Sequence, residues 1–213
     1  MNKICFLFSC LLFTFSLSAQ DKDLEKYAPE IKEISDPDFE WTQFDNKKAK
    51  CQFKKNALEL ECHKVGEYAC TCTELDIDPN NVNFIMTFQI EVDKLDDTHR
   101  CGIVFDYKNI KNFQTLCFGK KQFALLSYED GDEAVVKEGL YKLDNKKKLV
   151  VTLMKKGKRL EFFVGNQYLP LTSLKNCEIR NPSVGFYVEN VTKIKITGLG
   201  YRVMLQNEVE EKE

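Results

Sequence analysis

The chain has 213 residues, the size of one ordinary domain, with 43% apolar and 30% charged positions and only 10 glycines and 5 prolines. That excludes disordered, collagenous and low-complexity classes. Lysine and arginine number 31 against 33 acidic residues, a net charge of −2, so the positive excess that nucleic-acid binding draws on is missing. One core at this length buries roughly 70% of the unfolded surface, enough to fold without a metal or a disulfide.

Met1-Asn2-Lys3 carries one positive charge and precedes the mostly apolar run Ile4 to Leu17; Ser16-Leu17-Ser18-Ala19-Gln20 then supplies small residues before the first acid, Asp21. A basic start, a short apolar run and a small-residue end describe a secretory signal peptide over residues 1–20, cleaved near Ala19 or Gln20. A mostly apolar run of fourteen positions is too short to span a hydrocarbon core of about 30 Å. Leu7-Phe8-Ser9-Cys10 is too close to Lys3 to be a lipoprotein box. The ending Ser-Leu-Ser-Ala-Gln resembles exported proteins of Bacteroidetes-type bacteria. No second apolar stretch is long enough to cross a membrane, so the mature chain is expected to be secreted or periplasmic, or at the cell surface, and not membrane-spanning.

Removal of the signal leaves seven cysteines: Cys51, Cys62, Cys70, Cys72, Cys101, Cys117 and Cys177. An exported chain meets an oxidising compartment, and an odd count leaves at least one thiol unpaired within the chain. Cys70 and Cys72 alternate with Ala69, Thr71 and Thr73, so on a strand both point to one face. One C-x-C without a second pair lacks zinc spacing. The expectation is buried small side chains, with room for one or two bridges.

Residues 21–39 read as a polar lead-in with a short helical signal around Asp23–Tyr27. From Trp41 onward the pattern is short runs rich in Val, Ile, Phe, Tyr and Thr, separated by charged turns. The predicted strands are Trp41–Phe44, Ala49–Phe53, Ala57–His63, Glu67–Thr73, Phe84–Val92, Cys101–Tyr107, Phe113–Phe118, Gln122–Tyr128, Ala134–Lys137, Leu149–Lys155, Arg159–Val164, Ser183–Val188 and Val191–Val203. Period-two alternation is cleanest in Phe84, Met86, Phe88, Ile90 and Val92. The links Lys54–Asn56, Lys108–Asn112 and Lys155–Lys158 are too short for a crossover helix, so neighbouring runs pair antiparallel. Many short strands at this spacing predict an all-β, two-sheet antiparallel β-sandwich over residues 40–205. Residues 206–213 form an acidic tail.

The order of Cys101-Gly102-Ile103-Val104-Phe105, Asn112-Phe113, Gln122-Phe123-Ala124-Leu125, Leu149–Leu153, Arg159–Asn166 and Ser183–Val188 resembles the concanavalin A-like lectin/glucanase superfamily, including laminin-G-like and exported bacterial jelly-roll domains. The likeness covers about residues 40–203. It implies the jelly-roll fold and a saccharide as the ligand class; the fold alone hosts lectins, hydrolases, lyases and inert modules. One departure is Gly165-Asn166, where such domains often carry Asn-Gly.

The glucanase branch of that superfamily places Glu, Asp and Glu alternately on one strand. Here Glu91 and Asp93 are followed by Leu95, so the set is incomplete. Glycoside hydrolysis needs two carboxyl groups across the scissile bond; Glu91, Asp106 and Glu161 would supply them only by converging in one cleft. No Ser-His-Asp or Cys-His set can be assembled from His63 and His99, and no phosphate-cradling glycine pattern precedes a helix. Lys146–Lys148 and Lys155–Lys158 read as edge-protecting turn lysines, and Trp41 as a core or edge residue. The polar positions opposite the apolar stripes, Gln89, Glu91, Asp106, Gln114 and Glu161 with Tyr187 as an aromatic edge, are the candidate ligand-binding set on a concave sheet face. No cofactor is expected; calcium at Asp93, Asp96 and Asp97, or at Asp76, Asp78 and Asn80, is the weaker expectation.

The leading expectation is an exported non-catalytic module that binds a glycan or a protein partner at the cell surface, with no nucleic acid. A saccharide-acting hydrolase or lyase with carboxylates on the concave sheet, or a structural module without a small ligand, stands as the alternative.

Overall fold

The structure is a computed structural model that describes residues 28–79, 82–92, 95–96, 98–142, 148–165 and 169–204. The expected signal peptide, the helical signal near Asp23, the acidic tail, and Asn80, Asp93 and Asp97 of the two calcium candidates lie outside the described residues. The strands in chain order are β1 (Lys32–Glu33), β2 (Phe44–Asp45), β3 (Ala49–Lys54), β4 (Ala57–Cys62), β5 (Tyr68–Glu74), β6 (Asn83–Val92), β7 (Cys101–Asn109), β8 (Asn112–Phe118), β9 (Gln122–Glu129), β10 (Asp132–Leu140), β11 (Lys148–Lys156), β12 (Arg159–Val164), β13 (Thr172–Leu174), β14 (Ser183–Glu189) and β15 (Lys193–Met204). No helix occurs among the described residues.

These strands form the expected antiparallel two-sheet sandwich. The nine-stranded sheet runs β13-β12-β11-β6-β15-β4-β3-β2, with β1 also paired to β15; the six-stranded sheet runs β10-β9-β8-β7-β14-β5. The short charged links close hairpins: Lys54 pairs with Ala57, Lys156 with Arg159 and Asn109 with Asn112. In the β9–β10 turn both Asp130 and Gly131 have positive φ, 53° and 95°, the pair of left-handed residues that matches the twist of two flanking strands.

The alternation seen in the sequence is the burial pattern of the core. Phe88 of β6 meets Phe186 of β14 edge-on at 5.7 Å, and Phe105 of β7 meets Phe162 of β12 at 5.3 Å, so both pairs bridge the sheets. Trp41 is a core residue, 5.5 Å from Phe186, and its indole nitrogen donates to the Ile34 carbonyl at 3.0 Å. The expected strand at Trp41–Phe44 is ladder only at Phe44–Asp45; ahead of it the backbone lies along β5, with Thr42 N donating to the Cys72 carbonyl at 3.3 Å. β1 and β13 were not legible, because two or three residues cannot display a period. Within residues 28–39, Ile34 is fully buried and Phe39 nearly so.

The seven cysteines among the described residues are all thiols; Cys177 is half-buried and the other six are buried, so none of the bridges allowed for by the sequence is formed among them. Burial pushes the Cys51 thiol up to about 11 and Cys117 up to about 12, far from the range in which a thiol is reactive.

Candidate functional site

The sandwich leaves one face of the six-stranded sheet turned away from the core, and that face is concave. Tyr128 on β9 and Tyr187 on β14 lie three strands apart, about 14 Å at the usual strand spacing, yet their hydroxyls are 3.1 Å apart. Along the strands the same holds. Tyr187 is in register with Gly102, which faces Cys117, four residues or about 13 Å along β8 from Phe113; the Phe113 and Tyr187 rings are nonetheless 6.3 Å apart. Two glycines permit the close strand approach beneath. A Cβ on Gly102 would stand 2.0 Å from the Leu116 carbonyl oxygen, and one on Gly185 2.0 Å from that of Thr71.

Rings fill the bottom of this concavity. Phe113 stacks on Tyr128 at 4.4 Å, and Tyr68 lies 4.9 Å from Tyr128 and 5.8 Å from Tyr187. A charged chain runs through them. Arg100 donates from Nε to Glu189 Oε1 at 2.5 Å and from Nη2 to Oε2 at 2.9 Å, Tyr187 donates to Glu189 Oε2 at 2.7 Å, and Tyr128 donates to Glu133. Burial works against the Arg100 charge, but its bonds to Glu189 outweigh it and hold the guanidinium pKa above the usual arginine value. Burial, then the neighbouring Glu189 charge, pushes Tyr187 well above the ordinary tyrosine range; burial and the bond to Glu133 do the same for Tyr128.

A bulge shapes the end of this face. The β7–β8 register slips between Phe105 and Asn109, and Asp106 sits there with φ 52°, a left-handed conformation that aspartate tolerates better than most residues. Its Oδ1 accepts from Arg180 N at 2.8 Å, Asn181 N at 2.9 Å and Asn181 Nδ2 at 2.9 Å, so the side chain ties the segment before β14 to the bulge. Gln114 Nε2 reaches Asp106 Oδ2 at 3.4 Å. Between the bulge, the β9–β10 turn and residues 178–181 lies an open furrow of about 560 Å³, bordered by Asp106, Lys108, Gln114, Tyr128, Glu178 and Arg180 among others.

The six residues expected from the sequence do not share one face, which corrects the convergence required for a three-carboxylate cleft. Asp106 and Gln114 border the furrow, and Tyr187 lies buried in the concavity beside it. Gln89, Glu91 and Glu161 belong to β6 and β12 of the other sheet; Glu91 is 3.5 Å from Lys195, and Glu161, almost fully buried, is 2.6 Å from Arg159. The cause is that alternation tells inside from outside but not which sheet a strand joins. Sequence reasoning missed Lys108, Arg180, Asn181, Tyr128, Arg100 and Glu189. A break in alternation at Asp106-Tyr107 was the available signal for the bulge; nothing local marked the others.

Among the described residues no group of three or more His, Cys, Asp and Glu could hold a metal ion. Asp96, one of the calcium candidates, accepts from the Thr98 and His99 amides at 2.9 and 2.8 Å and lies 2.6 Å from His99 Nδ1.

No protein-family model and no curated protein sequence matches the chain. Solved structures do. The carbohydrate binding module CBM66 from Bacillus subtilis superposes with a TM-score of 0.56 at 13% identity, over 75% of this chain and 94% of that one. The Bacteroides ovatus xyloglucan PUL GH43B gives 0.57 at 10% identity over 81% of this chain, and the xylan beta-1,4-xylosidase from Bacillus halodurans C-125 gives 0.56 at 12% over 82%. The chain thus spans nearly the whole of the first but only 38% and 39% of the other two. With two antiparallel sheets in this arrangement and these structural neighbours, the chain has a concanavalin A-like β-sandwich fold.

Proposed function

We propose that the chain is an exported, non-catalytic binding module whose ligand is a glycan held in the furrow at the β7 bulge. The observation that carries this reading is the furrow's mixture of groups. Lys108, Arg180 and Gln114 supply donors and Glu178 supplies an acceptor, while Tyr128 and Phe113, each 3% exposed, close the floor. A sugar needs both donors and acceptors, since each of its hydroxyls does both. The volume of about 560 Å³ falls in the range of roughly 300–1,000 Å³ usual for small-ligand sites. The match to a carbohydrate binding module over nearly its full length supports the ligand class. Export rests on the signal-like residues 1–20. Glu91, Asp106 and Glu161 are divided between two sheets, so a hydrolase built on those three carboxylates finds no support.

The test is calorimetric titration of the purified protein with a panel of neutral oligosaccharides. At least one should bind saturably, and Lys108→Ala or Arg180→Ala should weaken it by about tenfold, about 1.4 kcal/mol. Binding by none, or binding indifferent to both substitutions, would refute the site. Saturable binding of a protein partner alone would replace the glycan reading.

A further inference from the structure

The outer face of the nine-stranded sheet is polar at one end and apolar at the other. Over β4 and the start of β15 it carries Glu59, Glu61, Lys193 and Lys195, which ion pairs link to one another and to Glu91. Over β12, β11, β6 and the end of β15 it carries Phe163, Met154, Ile85 and Met204, a cluster in which no side chain is more than 2% exposed. These four point away from the core because they alternate with residues that enter it. Phe162 and Val164 flank Phe163, Leu153 precedes Met154, and Phe84 and Met86 flank Ile85; Met204 is in register with Asn83, next to Phe84. Glu161, in register with Met154 on the same face, is only 4% exposed. Side chains on the outer face of a sheet bury so completely only under a cover. Unlike the two other apolar clusters, this one gathers no half-buried apolar neighbour among the described residues.

The first described residues of the chain run onto this face. Lys32 and Glu33 of β1 pair antiparallel with Leu199 and Gly198, so the residues before them advance along β15 toward Met204. Gly198 and Gly200 are outward positions, in register with Gln89 and Thr87, and residues 30–31 take the space that side chains there would need. A Cβ on Gly200 would stand 2.4 Å from the Glu30 carbonyl oxygen, and one on Gly198 2.6 Å from Ile31 Cγ2. Pro29 is buried. The same register carried back to Ala28 brings it level with Val203, at the edge of the apolar cluster.

Ahead of Ala28 stand Asp21-Lys22-Asp23-Leu24-Glu25-Lys26-Tyr27. Leu24 and Tyr27, three apart, share one side of a helical turn, and the charged residues take the rest. Seven residues reach about 10 Å as helix and about 23 Å extended, while β12 lies three strand spacings from β15, about 14 Å. Residues after Met204 are worse placed. Gly200 is already level with Thr87, Thr152 and Phe163, so β15 has passed Phe163 when it ends, and the chain beyond it would have to reverse.

We propose that residues 21–27, the first of the chain once the expected signal peptide is removed, fold back as a clasp over this face, with Leu24 and Tyr27 seated on Phe163, Met154, Ile85 and Met204. The furrow at the β7 bulge belongs to the other sheet, so the clasp and the glycan site fail separately.

The test uses the methionines, whose oxidation to sulfoxide by peroxide follows access to the sulfur. Met86, 1% exposed between the sheets, is the internal control. In the processed protein, its N-terminus fixed by intact mass, Met154 and Met204 should oxidise as slowly as Met86, read by peptide mass spectrometry. Leu24→Ser/Tyr27→Ser should speed both by at least about tenfold and leave Met86 unchanged, as a local opening requires. Leu24→Ile/Tyr27→Phe should keep the protection. Protection that survives the serine pair would overturn the proposal; its loss on removal of residues 205–213, or on dilution, would then assign the face to the tail or to a second copy. Rapid oxidation of Met154 and Met204 in the parent, or a rise that Met86 shares, would overturn it too.

Discussion

The hydroxyl of Tyr68, at the start of β5, donates to the carbonyl of Ile110, at the tip of the β7–β8 hairpin, at 2.8 Å. Tyr68 pairs with Glu189, whose amide donates to the Arg100 carbonyl, so Ile110 follows that level by ten residues, about 33 Å of extended strand. Only a hairpin that folds back at the Asp106 bulge brings the two together. The tip is therefore a flap over the aromatic floor, and it sets one border of the furrow at the β7 bulge.

Loss of this latch should be measurable without unfolding the protein. Because water can reach the Ile110 carbonyl, Tyr68→Phe should cost only about 0.5–1.5 kcal/mol. Hydrogen exchange should quicken at the amides of residues 109–112 and remain unchanged in β6. Equal exchange at the tip in both proteins would mean that the bulge alone holds the hairpin.

The bulge also marks the limit of what the sequence could tell. Phe84, Met86, Phe88, Ile90 and Val92 announce a strand and its buried face, because one side of each sheet must leave water. The same rule made the two-sheet sandwich legible, but not Lys155. The pattern reads it as a turn lysine, whereas it is a buried residue of β11 whose ammonium donates to the Val82 carbonyl at 3.1 Å. Nor could the rule assign Gln89 and Glu161 to one sheet and Asp106 and Gln114 to the other, since both sheets obey it. At Asp106 the left-handed residue interrupts the period. Arg100 and Glu189 come together from 89 positions apart, through a pairing of β7 with β14 that no local pattern encodes.

Gly185→Ala tests the close packing of strands below the concave face. Its Cβ would fall 2.0 Å from the Thr71 carbonyl oxygen, so main chain must move. The expected loss is at least about 3 kcal/mol, the upper end of ordinary overpacking, read as a large fall in denaturation midpoint or a failure to fold. A variant as stable as the parent would show that β14 and β5 are spaced more widely than described.

Raising the pH should destabilise the protein through groups that burial keeps protonated. Cys101 and Cys117 are shifted up from an ordinary value of 9.0, and Tyr68, Tyr107, Tyr128, Tyr141 and Tyr187 from 10.0, burial being the leading cause in each. The folded state then binds these protons more tightly than the unfolded chain. Their stabilisation is complete below about pH 9 and is lost progressively above it. In a spectrophotometric titration these five of the eight tyrosines should ionise only as the protein unfolds. Early, non-cooperative ionisation of all eight would contradict the buried ring cluster.

The β14–β15 turn contains a residue whose replacement should stabilise. Val191 has φ 57° and is 51% exposed, so a branched side chain sits in a left-handed conformation with little packing in return. Val191→Gly relieves roughly 1–2 kcal/mol of strain and gives back about 0.5–1 kcal/mol through the freer unfolded chain. A net rise in Tm of about 2 °C is expected, and a fall would show that Val191 makes contacts worth more than its strain.

The central claim is that the furrow bordered by Asp106, Lys108, Gln114 and Arg180 binds a glycan. Its most direct test is the thermal denaturation of the protein with and without a panel of oligosaccharides, beside the Arg180→Ala variant. Asp106 is unsuited to this comparison because its carboxylate braces residues 180 and 181. A glycan at about a hundred times its Kd should stabilise the native state by about 2.7 kcal/mol. The prediction is a glycan-dependent rise in Tm that falls to about half in Arg180→Ala, as a tenfold weaker site requires, while the unliganded Tm of the variant stays with the parent. No rise with any saccharide, or the same rise in the variant, would contradict it.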